Sequence, residues 1–240
     1  MAKTVLAIGA HYDDCVFGIP GILLQAARKH YRVVILSLIG DYTNWSPVKG
    51  REKEFVEGTV QISKEYGAEM RYLKYASHRF DVATETKRAV AEVVADVKPD
   101  VGFLMWPHDR HHDHEVAGTL GKIALQHGDR LLDKGPFQPA KELYAYDNGP
   151  RHTIGFEPNT FVDVTAEWTT ALEWLGRFMA LTRGQKYDRT TPDGAQRAKE
   201  ALASYRGAAC GVRYAEAVWA LNLPPRDILY LSVGRTQPER

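Results

Sequence analysis

Near-continuous apolar runs of six to eight residues, separated by segments whose apolar positions recur every three or four, constrain this chain most. The runs lie at 3–9 (KTVLAIG), 32–39 (RVVILSLI) and 101–106 (VGFLMW), with a weaker one at 69–75 (EMRYLKY). The first three do not alternate as a strand with one wet face would, so they are expected to be buried strands, covered on both faces. The helical pattern covers 20–30, with Pro20 suited to the first helical position, and 51–66, where Phe55, Thr59, Ile62 and Tyr66 share a side. It returns over 84–97 through Val90, Val93, Val94 and Val97, ended by Pro99. A last segment after Asp113 turns Val116, Leu120, Ile123 and Ala124 inward, with Gly128 as the expected stop. Strand and helix in alternation predict an α/β fold: a mostly parallel sheet with helices on both faces.

After residue 128 the punctuation thickens. Eight of the 31 residues from 128 to 158 are Gly or Pro, against 32 of 240 in the whole chain, which predicts loops. Strands are expected at 142–146, 160–164 and 227–233, and helices at 166–181 and 192–205. With no repeat or low-complexity tract, one domain over 1–234 with a tail at 235–240 is the simplest organisation. The late loops and residues 183–189 are free to serve as pocket wall or as an oligomer contact.

Composition removes several function classes. The formal net charge is +1 and no basic cluster occurs, so bulk nucleic-acid or anionic-membrane binding is not expected. The longest uncharged apolar run is far below the roughly 18–20 residues of a membrane span. The start, MAKTVLAIGAHYDD, is too short and too acidic for a secretory signal. Cys15 and Cys210 are too few for a disulfide scaffold, which fits a reduced cytoplasmic setting.

In a parallel sheet, ligands bind in the loops at the carboxyl ends of strands. Two such loops hold unusual residues: Ala10-His11-Tyr12-Asp13-Asp14 after the first strand, and His108-Asp109-Arg110-His111-His112-Asp113-His114 after the fourth. Nine histidines spread evenly would place about a quarter of one in the second window; it holds four. Imidazole and carboxylate together suit zinc or another divalent transition metal, which takes three protein ligands at a catalytic site. His11, Asp14 and His114 can supply them if the loops meet. Asp13 is then free as a general base, and His111 is placed to donate to a developing oxyanion or to protonate a leaving amine. Asp113 can orient a histidine, and is equally suited to cap the following helix. His108 and His112 read as solvated or structural; His30, His78, His127 and His152 read as surface residues.

The two motifs, A-H-Y-D-D and H-H-D-H, resemble those of the PIG-L (LmbE-like) zinc-dependent deacetylases, a His-x-Asp-Asp and a His-x-Asp-His. Weaker matches run along the chain: Arg51-x-x-Glu54, Lys98-Pro99-Asp100, Phe161-Val162-Asp163-Val164, and Tyr205-Arg206-Gly207 followed by Tyr214-Ala215-Glu216-Ala217. The resemblance implies a Rossmann-like fold and removal of an N-acetyl group from N-acetylglucosamine or a related amino sugar conjugate. It implies His11, Asp14 and His114 as metal ligands, Asp13 as base, His111 at the oxyanion with Asp113 beside it, and Arg51 in substrate contact. Arg51 could instead form surface ion pairs with Glu54.

The chain departs from the family at Tyr12, where proline is usual, at Cys15, where glutamate is common, and at Pro20-Gly21, where a Gly-Gly pair is frequent. These leave the ligands and base in place but bear on the pocket floor. Cys15 is expected to pack rather than attack. Tyr42 and Trp45 are candidates to lie against a sugar ring, with Asp41 or Asn44 on its hydroxyls, although anchoring a loop is the commoner fate of such aromatics. The rival readings are an amidase of a larger conjugate, another metal-assisted hydrolase such as a phosphoesterase, and a non-catalytic sugar- or metal-binding module. The first strand lacks a G-x-G-x-x-G turn, which counts against a phosphorylated ligand.

Overall fold

The computed structural model describes residues 3–132 and 139–222. Its seven strands are β1 (Thr4–Gly9), β2 (Arg32–Asp41), β3 (Ala68–Ala76), β4 (Val101–Met105), β5 (Glu142–Tyr146), β6 (Thr160–Asp163) and β7 (Ala215–Ala220). They form one sheet in the order β3-β2-β1-β4-β5-β7-β6. The first five of that order run parallel, and β7 is antiparallel to both β5 and β6. The helices are α1 (Asp14–Gly18), α2 (Pro20–Arg28), α3 (Glu52–Glu65), α4 (Thr84–Val97), α5 (His112–Leu131), α6 (Trp168–Thr182) and α7 (Gly194–Cys210).

The expected α/β class follows from burial. Central strands β1 and β2 are buried along almost their whole length because helices cover both faces. On one face α4 and α5 pack on each other; on the other α6 is packed by α2, α3 and α7. Trp174 and Phe178 of α6, Phe55 of α3 and Tyr146 of β5 are fully buried there or in the sheet, joining the late segment to the early core. Such burial makes the late segment part of the same hydrophobic unit.

Several boundaries differ from expectation. Gly128 does not stop α5, which continues to Leu131, because that glycine lies on the buried side of the helix. The short α1 and strand β7 have no counterpart in the sequence reading. The strand expected at 227–233 and the tail lie outside the described residues. A pattern of continuous apolar runs misses β7 because Glu216 interrupts it and Trp219 faces partly outward.

Glu216 is nevertheless buried, and its partners give the late signature a structural meaning. Its carboxylate accepts the backbone N–H groups of Gly21 and Ile22 at 2.9 Å each, and the Lys199 ammonium lies 3.1 Å away. These N–H groups belong to the first turn of α2, whose own N-cap residue, Ile19, offers no side-chain oxygen. Lys199 also donates to the Gly18 carbonyl at 2.8 Å. One β7 side chain thus caps a helix 195 residues away in the chain.

Gly21 is held by the same contacts. A Cβ built on it would sit 2.6 Å from Val164 Cβ, so Val164 of the loop after β6 must move to admit one. Gly21→Ala is expected to destabilise by about 1–3 kcal/mol, as overpacking of a tight core does. A chemical denaturation midpoint equal to wild type would contradict this packing.

Candidate metal centre and active site

Strands β1 and β4 are parallel neighbours, with Val5 opposite Val101 and Ala7 opposite Phe103. From β1 the chain crosses to β2 on one side; from β4 it crosses to β5 on the other. The carboxyl ends of this pair therefore open a crevice at the point where strand order reverses, the usual ligand position in such sheets. Both histidine-bearing loops fall there.

The loops meet. The ring centroids of His11 and His114 are 5.2 Å apart, and His111 lies 4.9 and 4.6 Å from them. One donor atom from each of His11, Asp14 and His114 falls within 4.8 Å of the others. Asp14 Oδ2 is 3.5 Å from His11 Nδ1, and Asp14 Oδ1 is 3.3 Å from His114 Nε2. Asp14 and His114 are buried, and His11 is half-buried at the floor of a cavity.

The outer nitrogens of both imidazoles face carboxylates. His11 Nε2 is 3.2 Å from Asp113 Oδ2, and His114 Nδ1 is 3.2 Å from Asp109 Oδ1. Ligating histidines generally have such partners, which fix the tautomer and ring orientation. Two imidazoles and one carboxylate, each braced from behind, fit a divalent transition cation of the zinc type. Two overlapping groups, His11/His111/Asp113 and Asp109/His114/His152, also cluster. Their carboxylates are spent elsewhere: Asp113 accepts from Ser77 and His78, and Asp109 from the His111 backbone N–H.

Electrostatics separate the two adjacent aspartates. Burial opposes charge on Asp14, but the flanking His114 and His11 outweigh it and hold its pKa well below the carboxylate range. Burial and the Asp14 charge instead push Asp13 up to about 6, against the opposing pull of His11 and His114. Burial works against protonating His11 and His114, yet Asp14 raises them to about 9 and about 10, helped by Asp113 and Asp109 respectively. Asp13 lines the cavity and stands at the N-cap of α1, but its side chain does not cap that helix, and the backbone N–H that steadies its carboxylate is its own.

His111 caps α5: its Nδ1 accepts from the Asp113 backbone N–H at 3.2 Å. Burial and the nearby His11 and His114 lower it to about 4, so the ring is neutral. With Nδ1 accepting, a neutral ring carries its proton on Nε2, which makes His111 a donor at the cavity wall.

Asp113 is fully buried and inside α5, so it is not the helix cap and does not line the cavity. It accepts from Ser77 Oγ at 2.6 Å, from the His78 N–H at 2.9 Å and from His11. Burial alone would raise its pKa; these bonds hold it well below the usual range. Asp113 acts on the site through His11. Asp113→Asn must present an amide to one of three donors, so cation affinity is expected to fall about 10–100-fold. Chelator competition giving wild-type affinity would contradict that role.

The other expected residues divide. Tyr42 and Trp45 line the cavity, but the buried Tyr42 hydroxyl accepts from the Tyr12 N–H at 3.1 Å and anchors the β1 loop. Tyr12, in place of the family's proline, packs edge-on against Phe55 at 4.8 Å and bonds Thr182 at 2.7 Å, tying the pocket floor to α6. Asn44 lines the cavity with its amide donated to the Ser77 carbonyl, whereas Asp41 accepts from Thr43 outside it. Arg51 is placed apart from these residues. Its guanidinium donates to the carbonyls of Leu181, Thr182 and Pro47, closing the end of α6, and it does not line the cavity. Burial drives the Cys15 thiol far up, beside the Tyr146 hydroxyl, which leaves it a packing residue.

His78 and His152, expected at the surface, line the cavity there. His78 stacks on His111 at 5.1 Å, and the His152 ring is 5.1 Å from that of His114. Sequence reasoning assigned no role to Asp109, although it sits inside the histidine-rich window. Asn148, which donates to Asp14 Oδ1 at 2.9 Å, sits in a glycine- and proline-rich loop that offered no spacing signal.

A family model described as PIG-L, GlcNAc-PI de-N-acetylase, matches residues 6–125, which include both loops. A diacetylchitobiose deacetylase of Thermococcus kodakarensis is 25% identical over 175 residues, 68% of this chain and 64% of that protein. The chain thus aligns with less than two thirds of that relative's length. Among solved structures, a 4-carboxy-2-hydroxymuconate hydratase from Pseudomonas putida KT2440 is similar with TM-score 0.76 and 18% identity, over 94% of this chain and 98% of that one. An N,N'-diacetylchitobiose deacetylase from Pyrococcus horikoshii gives TM-score 0.73 and 20% identity, over 95% and 89%. At those identities the two structures speak for the fold alone.

Proposed function

The chain belongs to the PIG-L family, and from that premise we propose that it is a zinc-dependent hydrolase removing the N-acetyl group of an amino sugar or amino sugar conjugate. One observation carries the reading: Asp13 is a cavity-lining carboxylate that neither caps α1 nor belongs to the clustered donors, beside a braced His11/Asp14/His114 set. A site built only to hold an ion or a sugar has no need of a free base at that place. The similar diacetylchitobiose deacetylase of Thermococcus kodakarensis points the same way.

His11, Asp14 and His114 would hold the cation. When bound there, a divalent ion lowers the pKa of a nearby water and polarises an acyl oxygen. Asp13 takes the proton as the water oxygen bonds to the carbonyl carbon. His111 donates from Nε2 to the oxygen on which charge develops. Asp13 then passes its proton to the nitrogen as the C–N bond breaks, leaving acetate and a free amine. Asp113 and Asp109 keep the two histidines aimed throughout. Zinc is the ion this nitrogen-and-oxygen set suits, with neighbouring divalent metals close in affinity.

No helix of the described residues is long and apolar enough to cross a membrane. A cytoplasmic setting is supported by two free cysteines, one buried and one exposed. Acetate release from a panel of N-acetylated amino sugars, with cation content measured on the same sample, tests the assignment. Stoichiometric zinc with no acetate from any member of the panel would return the scaffold to the binding or other metal-assisted readings.

A further inference from the structure

The turn that carries Asp13 is tied down at its start and then at a single further point. The Ala10 carbonyl accepts from the Ile39 N–H at 2.9 Å and from Ser37 Oγ at 3.1 Å, which fixes the start of the turn to β2. Farther on, the His11 N–H goes to Asp14 Oδ2 and the Asp13 carbonyl accepts from the Phe17 N–H, both within the same segment. Among the described residues, one hydrogen bond joins the backbone of 11–14 to another element, from the Tyr12 N–H to the Tyr42 hydroxyl at 3.1 Å. A residue other than proline leaves its φ free and brings an N–H that burial must satisfy. Tyr12 and Tyr42 are both buried, and so is the bond between them.

Tyr42 is aimed there by an irregular end of β2. The register between β2 and β3 shifts between Ser37 and Ile39 and again between Ile39 and Asp41, the last residue of the strand. Such shifts bend a strand and re-aim the side chain that follows. Gly40 lies inside them, pressed on β3: an added Cβ would collide with the Leu73 carbonyl oxygen, so glycine alone fits without moving that strand. Beyond the bend the Tyr42 ring packs edge-on against Phe55 at 4.9 Å, and Tyr12 meets the same ring at 4.8 Å. Tyr12 is pinned at its far end too. Thr182 Oγ1 donates its one proton to the Phe178 carbonyl, so the Tyr12 hydroxyl is the donor in its 2.7 Å bond with Thr182. The residue before Asp13 is thus gripped through its backbone from the end of β2 and through its side chain from α6.

We propose that Tyr42 is a positioning residue for Asp13: by holding the Tyr12 N–H, its hydroxyl fixes the backbone from which the Asp13 carboxylate enters the cavity. The ligand side chains on the same turn have braces of their own, Asp113 for His11 and Asn148 for Asp14. The Asp13 side chain neither caps α1 nor belongs to the clustered donors, so its aim rests on its backbone. Misplacing a reacting group by about 1 Å can cost about 10²-fold in rate. The proposal rests on the deacetylase reading for what Asp13 does; the grip on the turn does not.

Tyr42→Phe keeps the ring and removes the acceptor. On the zinc-loaded protein with the methyl β-glycoside of N-acetylglucosamine, kcat for acetate release is expected to fall about 10–100-fold, with KM and zinc content unchanged. Hydrogen exchange on the metal-free protein should show the Tyr12 amide exchanging about tenfold faster or more, while the amides of β1 and β2 keep their wild-type rates. Tyr66→Phe, which removes a phenol hydroxyl bonded to Glu173 away from the cavity, should change neither readout. A Tyr12 amide as protected as in wild type would overturn the proposal, because the hydroxyl would not be what holds it. Unchanged kcat despite faster local exchange would do the same. So would a rise in KM at constant kcat, which makes Tyr42 a substrate contact, or faster exchange spread evenly over β1 and β2, which makes it ordinary core. Local loss of protection, with no acetate released by the wild-type protein from any N-acetylated amino sugar, would uphold Tyr42 as the residue that positions Asp13 and defeat the deacetylase reading.

Discussion

Asp13→Asn is expected to lower acetate release by about 10²–10⁴-fold while the protein still binds one zinc per chain. Asparagine keeps the shape of the side chain and removes its proton affinity. The cation should persist because Asp13 is not among the clustered donors, which are His11, Asp14 and His114. Asp14→Asn should do the reverse at the first step and lose cation affinity, with activity following. The pair separates two neighbouring residues that differ in nothing but position. Steady-state turnover and elemental analysis on the same preparations decide it. Undiminished turnover in the Asp13 variant would remove that residue from its role, and loss of zinc in the same variant would move it into the ligand set.

The second large effect lies away from the chemistry. Lys199→Met is expected to cost about 3–5 kcal/mol of stability, because it strands the buried Glu216 carboxylate without its counter-charge. Lys199→Met combined with Glu216→Gln should cost less than the two single changes added together. No charge is then left stranded, and the Gln carbonyl can still accept one of the two N–H groups at the start of α2. Urea denaturation of the four proteins gives the coupling directly. Additive losses would mean that the ammonium and the carboxylate do not depend on each other.

The first half of the fold was legible because both faces of its strands are covered. Burial on two sides forces a continuous apolar run, and β1, β2 and β4 leave that mark in the sequence. Strand β7 was not legible, since the residue that makes it indispensable, Glu216, is charged and finds its partners on α2 and α7. Arg51 shows the same difficulty from the other side. An arginine at a helix start suits a substrate contact or a surface ion pair equally well, and only the arrival of the end of α6 gives it carbonyls to bind.

The sequence by itself determined the α/β order, the supply of imidazole and carboxylate, and the two loops that carry them. Which donors are engaged was decided only in three dimensions. Asp13 and Asp14 are the same residue one step apart, yet burial between His11 and His114 keeps Asp14 charged, while burial beside Asp14 raises its neighbour towards neutrality. Asp109 from the loop after β4, Asp113 from the first turn of α5 and Asn148 from the loop after β5 all reach the site. The physical reason is that the field at a carboxylate depends on distance through space and on exclusion of water, neither of which is written in the spacing of residues along the chain.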